Sequence, residues 1–187
     1  MGSDIKFEKF ISRKILDLQP YSTKTYDHLI KLDAMEMPND TTPINDLPVL
    51  NALSDLELNR YPDPNFQALR KKLLLAKNLD SSETDVVIGN GSDELIQLLC
   101  LLTSNDGQGK LLTPSPTFSV YKTLAQIHGL RSYEFNLESE SFHLDISKFI
   151  EEILKIDPSL IFIASPNNPT GNRLVGGDIG KVCEACD

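Results

Sequence analysis

Three short runs hold most of the residues that could do chemistry in this 187-residue chain. The first, Gly89-Asn90-Gly91-Ser92-Asp93-Glu94, places two glycines and a hydroxyl where the pattern reads as a strand-to-helix turn. Open backbone N–H groups at the start of a helix, reinforced by its dipole, suit a phosphate. The same residues also fit a tight turn with Ser92 as an ordinary helix N-cap. No Lys-Ser/Thr follows, so this is not a Walker A loop, and the full glycine spacing of a dinucleotide site is missing. The second run, Pro114-Ser115-Pro116-Thr117-Phe118, ends in an aromatic ring. That ring could cover a planar ligand, with stacking worth about 0.5–1.5 kcal/mol beyond burial, or could belong to the core. The third, Ser165-Pro166-Asn167-Asn168-Pro169-Thr170-Gly171-Asn172, is more specific than a plain turn requires. A proline-fixed turn there offers a side-chain amide to a phenolate or carbonyl oxygen.

Other reactive residue types fall into less specific patterns. His28, His128 and His143 lack metal-ligand spacing, and no serine sits in a GxSxG elbow, so the histidines read as structural. Asp93 and Glu94 have the chemistry of an acid–base pair, but acidic residues in a first helical turn are what the macrodipole favours in any case. Cys183 and Cys186 form a CxxC with no second ligand pair, and read as helix-face residues. Arg70-Lys71-Lys72 has no interleaved aromatics and reads as a solvated helix face.

Elements must position the three runs, and the hydrophobic pattern supplies them. Ile5, Phe7, Phe10, Ile11, Ile15 and Leu18 have the spacing of an amphipathic arm. Five prolines between residues 37 and 64 mark a connector. Phe66, Leu69, Leu73 and Ala76 predict a helix and residues 85–89 a buried strand. After these come a helix at 92–102, a strand at 110–113, a helix at 118–128, a strand at 131–137, a helix at 146–156 and an apolar strand at 160–164. Strands alternating with helices imply an α/β fold, a mainly parallel sheet with helices on both faces. In such sheets ligands gather beyond the carboxyl ends of the strands, which is where all three runs fall.

Composition narrows the function. With 40% hydrophobic and 24% charged residues the chain is an ordinary globular one, and no apolar run approaches the roughly 20 residues of a membrane span. A net charge of -9 argues against general attraction to nucleic acid or anionic membrane, while permitting a local phosphate site. The N-terminus reads as neither a secretory nor a myristoylation signal, and three cysteines are too few for a secreted disulfide framework. A reducing cytoplasm is the expected location.

Taken in order and spacing, the runs resemble the first half of a fold-type I pyridoxal-phosphate aminotransferase, and specifically one of the histidinol-phosphate type. Lys31-Leu32-Asp33-Ala34 is similar to that family's lead-in, Leu58-Asn59-Arg60-Tyr61-Pro62-Asp63 to its tyrosine motif, and Gly91-Ser92-Asp93-Glu94 to its phosphate loop. Pro116-Thr117-Phe118 is similar to its ring-stacking segment, and residues 165–171 to its most diagnostic run. One departure is Met35-Glu36-Met37-Pro38, where the family commonly has Asn-Glu-Asn-Pro near the substrate.

The resemblance implies pyridoxal 5'-phosphate as cofactor. It implies that the loop at Gly91 binds the cofactor with the backbone N–H groups of Ser92 and Asp93 holding the phosphate, that Phe118 stacks on the pyridine ring, and that Asn168 hydrogen-bonds the phenolic oxygen, its bond to Pro169 being cis. Tyr61 would reach the cofactor phosphate of the other subunit of a homodimer. The implied reaction passes an amino group from a small-molecule donor, histidinol phosphate, to the 2-oxo acid 2-oxoglutarate, a step of histidine biosynthesis. The division implied is an arm and connector at 1–50 and the first half of the cofactor-binding domain at 51–187. The cofactor-bonding lysine, the aspartate for the pyridine nitrogen and the carboxylate-binding arginine would follow Asp187, so the 187 residues alone are expected to be inactive. Two alternatives stand beside this: a phosphoamino-acid decarboxylase of the same fold, and a non-catalytic piece acting in binding or dimerisation.

Overall fold

The computed structural model describes residues 11–18, 51, 53–54, 56 and 59–186. The lead-in at 31–34, the departure at 35–38, residues 5–10 of the expected arm and residues 37–50 of the connector lie outside the described residues. The chain divides into two compact units, Met1–Gln19 with Gly89–Asp187, and Pro20–Ile88.

The first unit is built on a parallel sheet in the order β2-β1-β3, with β1 at Lys110–Ser115, β2 at Arg131–Asn136 and β3 at Leu160–Ile161. Successive strand residues face opposite sides, and the central strand shows it. Leu111 packs with Ile96, Cys100, Ala125 and Leu130. Its neighbour Leu112 packs with Leu144, Phe149, Ile153, Ile156 and Val182. Helices α3 (Gly91–Thr103) and α4 (Val120–Ile127) therefore cover one face, and α5 (Ile146–Ile156) and α6 (Asp178–Glu184) the other. Phe149, Leu111, Leu112 and Cys100 are fully buried. At about 1.5–3 kcal/mol for each large apolar side chain taken out of water, these residues supply much of the unit's driving force. Within the arm, α1 is a single helical turn, Arg13–Leu16.

Helix α5 shows how local sequence fixes an element. The Asp145 carboxylate accepts the Lys148 N–H at 3.1 Å and caps the first turn. Phe149, Ile153 and Ile156, at i, i+4 and i+7, then turn into the core. Leu154 is 68% exposed, because five residues from Phe149 carry it well around the helix.

The strands depart further from the sequence pattern. β1 runs two residues past the expected end at Thr113. Pro114 fits strand geometry at the loss of one N–H, and the Leu137 N–H still reaches the Ser115 carbonyl at 2.8 Å. The strand expected at 160–164 is assigned only at Leu160–Ile161, with Phe162 adding one bond to the Leu112 carbonyl. The strand expected at 85–89 is not formed. Val86 and Ile88 are half-buried and Val87 is 74% exposed. A strand exists by its neighbour, and no described strand lies beside this one.

In the second unit α2 spans Gln67–Ala76. The Asp63 carboxylate accepts the N–H groups of Asn65 and Gln67 at 3.0 and 2.9 Å, satisfying donors at the helix start. Those two bonds hold its carboxyl below the usual Asp range. The predicted apolar face is not the buried one, since Phe66, Leu69 and Leu73 are exposed and Leu74 is buried. Arg70 pairs with Asp85, while Lys71 and Lys72 remain exposed as a solvated face. Among the described residues no helix is long and apolar enough to cross a membrane, and no three His, Cys, Asp or Glu side chains are grouped to hold a metal ion.

Candidate cofactor site

The phosphate-loop residues open α3. Asn90 stands in the N-cap position with no side-chain cap bond, which corrects the reading of Ser92 as N-cap, for Ser92 is the second helical residue. Gly91 has φ +80, and a Cβ there would meet nothing within 4 Å. Glycine is needed for the conformation and leaves the approach open. The Gly91 N–H turns back to the Gly89 carbonyl at 3.0 Å. The Glu94 carboxylate accepts the Asn90 N–H, so this acid serves the start of the helix. No acceptor among the described residues takes the N–H groups of Ser92 and Asp93, and both residues are exposed. Two donors at a helix N-terminus thus face outward without a partner.

The direction of α3 sets where those donors lie. At its far end the Ser159 hydroxyl stands 3.3 Å from the Thr103 carbonyl and accepts the Lys110 N–H at 2.9 Å. A Cβ at Gly109 would collide with the Thr103 carbonyl. The C-terminus of α3 is therefore pinned where β1 and β3 begin. Thirteen residues make a helix of about 20 Å. Packed across the sheet through Ile96 and Cys100, it returns its N-terminus toward the edge where β1 and β3 end.

The other two runs leave the sheet at that edge, and one side chain joins them. Asn167 Oδ1 accepts the Thr117 hydroxyl at 2.8 Å, while Asn167 Nδ2 donates to the Pro116 carbonyl at 3.0 Å and to Thr170 Oγ1 at 2.8 Å. The Asn167 N–H donates to the Asn172 carbonyl, and the Gly171 N–H to the Asn167 carbonyl, both at 2.7 Å. Asn168 stands exposed between these ties, and its side chain has no partner among the described residues. The peptide bonds preceding Pro116, Pro166 and Pro169 are cis, the last as the resemblance implies.

Phe118 is half-buried, so core and ligand-facing roles are both open to it. It packs on the α3/α4 side of the core and meets Tyr121 edge-on at 5.5 Å, and Tyr121 stacks on Phe162 at 4.7 Å. Burial raises the Tyr121 phenol above its usual range and keeps it protonated. A cavity of about 420 Å³ lies beside Phe118, lined also by Thr113, Ser115, Pro116, Tyr121 and Glu134, within the size range of small-ligand pockets. Tyr61, the remaining predicted residue, belongs to the second unit and is 100% exposed.

The sequence singles out Asn168 as the presented amide and gives no separate role to Asn167, Thr117 or Thr170, which the structure joins by hydrogen bonds. The doubled asparagine was the available signal, but nothing local says which amide faces a neighbouring loop.

Comparison with known proteins fits this architecture. The family model "Aminotransferase class I and II" matches residues 27–187, and the chain belongs to that family. It is 37% identical over 177 residues to a histidinol-phosphate aminotransferase of Thiocapsa roseopersicina, covering 95% of this chain and 93% of that sequence. It spans about half the length of other curated relatives that carry the same name, 48% of one and 50% of another. Among solved structures, the histidinol-phosphate aminotransferase from Clostridium acetobutylicum aligns with a TM-score of 0.62 at 28% identity, covering 72% of this chain and 38% of that one. The enzyme from Sinorhizobium meliloti, solved in complex with pyridoxal-5'-phosphate, aligns with a TM-score of 0.63 at 19% identity, covering 75% and 36%, and shows the shared fold.

Proposed function

We propose that these residues form the cofactor-phosphate and ring-binding part of a pyridoxal-phosphate-dependent aminotransferase acting on histidinol phosphate in histidine biosynthesis. The observation that carries the reading is that the N–H groups of Ser92 and Asp93, two exposed residues, find no acceptor among the described residues at the sheet edge that also presents Phe118 and Asn168. The donor set fits the cofactor. Ser92 and Asp93 would hold the phosphate, with Gly91 keeping the approach clear, the Phe118 ring would lie against the pyridine, and the Asn168 amide would donate to its phenolic oxygen. When bound, pyridoxal phosphate supplies an electron sink for the carbon that bears the amino group.

On this reading the amino group passes to 2-oxoglutarate, giving glutamate and imidazole acetol phosphate. The working unit is a cytoplasmic homodimer in which Tyr61 serves the cofactor phosphate of the other subunit. Residues 1–50 act as arm and connector, and 51–187 as part of the cofactor domain.

Equilibrium binding tests this reading. The chain is expected to bind pyridoxal phosphate reversibly, with inorganic phosphate competing. Ser92→Pro removes one donor where a first helical turn tolerates proline. A hydrogen bond to a charged group is worth about 1.5–3 kcal/mol, so affinity should fall by roughly ten- to a hundredfold. Equal binding by the variant, or no competition by phosphate, would contradict the assignment.

A further inference from the structure

We propose that Asn167 is a positioning residue for the cofactor ring, setting Asn168 and Phe118 in register with each other while leaving the ring to them. The inference rests on the cofactor reading above. Its basis is the hydrogen bonding that one half-buried amide makes across two loops.

The amide can be oriented only one way. The Pro116 carbonyl can only accept, so the group 3.0 Å from it must be the Asn167 NH₂. Oδ1 is then left to accept the Thr117 hydroxyl at 2.8 Å. Pro116 and Thr117 directly precede Phe118, so these two bonds fix the stem of the stacking ring. On the other side Asn167 Nδ2 reaches Thr170 Oγ1 at 2.8 Å, and the Gly171 N–H reaches the Asn167 carbonyl at 2.7 Å. Those two bonds close a short loop around Asn168 and Pro169. One side chain thus joins the residue that stacks to the residue that donates, across a separation of 50 positions in sequence. Asp at this position has nearly the same shape but sets a carboxylate oxygen against the Pro116 carbonyl, which cannot donate, while the Thr170 hydroxyl can turn to donate instead of accept.

The test uses the intact chain with Asn167→Asp, Thr117→Val, their double variant and Thr117→Ser. It measures binding of pyridoxal phosphate, binding of inorganic phosphate, and amide hydrogen exchange at Gly171 without ligand. Asn167→Asp and Thr117→Val are expected to weaken pyridoxal phosphate about tenfold, the scale of one lost hydrogen bond, and to leave inorganic phosphate unchanged. Thr117→Ser should restore binding, the double variant should be no worse than the worse single one, and Gly171 should exchange faster in both single variants. Unchanged pyridoxal-phosphate affinity overturns the proposal, as does an equal loss for both ligands, which would mean that the whole site had collapsed. If the unaltered chain binds neither ligand, the cofactor reading fails. Exchange then decides the clamp by itself: unchanged Gly171 rates in Thr117→Val overturn it, and faster rates uphold the tie.

Discussion

Two adjacent asparagines in one turn carry different burdens. Asn167 spends both ends of its amide on Thr117, Pro116 and Thr170, whereas Asn168 is exposed with no side-chain partner among the described residues. Replacing Asn168 with Ala should therefore leave thermal stability within about 0.5 kcal/mol of the parent, as for other surface sites. The same change should weaken pyridoxal phosphate by several-fold to tenfold, the cost of one hydrogen bond of about 1 kcal/mol. Calorimetry and a binding titration on one preparation check both parts, and a large loss of stability would show that Asn168 belongs to the scaffold. From sequence the turn was legible as a place where an amide is presented, because proline and glycine fix its course. The division of labour was not, since Asn167 is committed by a loop 50 residues away. Ser92 shows the converse: its type fits an N-cap, but Gly91 at φ +80 starts the helix one residue earlier.

Elements with internal cues form where the sequence pattern predicts them. The helix at 146–156 falls at its expected limits because Asp145 caps it and its apolar stripe has a partner in Leu112. Bonds from Lys148 keep the Asp145 carboxyl below the usual Asp range, the Lys148 side chain contributing most. A lowered carboxylate stabilises the fold above its unfolded value, near 3.9, and that contribution is lost as pH falls through the lowered native value. Asp63, Asp80 and Asp85 are shifted the same way by their own hydrogen bonds. Stability should therefore hold from neutral pH down to about 4 and decline below it. Asp145→Asn keeps a capping oxygen but cannot titrate, so it should flatten the acid limb, as measured by urea unfolding between pH 2 and 6. An unaltered limb would mean that the Asp145 bonds add nothing to the native state. Elements that depend on neighbours depart from that pattern. Residues 85–89 have strand composition but no described partner strand, and α2 buries Leu74 instead of its predicted stripe.

Across the whole molecule, apolar surface exceeds what these residues cover. Helix α3 is hydrophobic nearly all round, yet Leu98, Leu99, Leu101 and Leu102 are exposed, the last at 78%. A helix of that composition is built for burial on every side, and exposed apolar surface of this kind drives association. The 187-residue chain should self-associate as its concentration rises. Leu101→Lys with Leu102→Glu, changes that keep good helix formers, should shift it toward a monomer in light scattering. A monodisperse monomer at every concentration before substitution would show that this face needs no partner.

The central claim is that the start of α3, Phe118 and Asn168 form one cofactor site, and an NMR titration of labelled chain with pyridoxal phosphate tests it most directly. The account predicts saturable shifts at the Ser92 and Asp93 amides, the Phe118 ring and the Asn168 side-chain NH₂. Inorganic phosphate should reproduce only the first pair. Saturation that leaves Ser92 and Asp93 unmoved, or that moves them without Phe118 and Asn168, would contradict it.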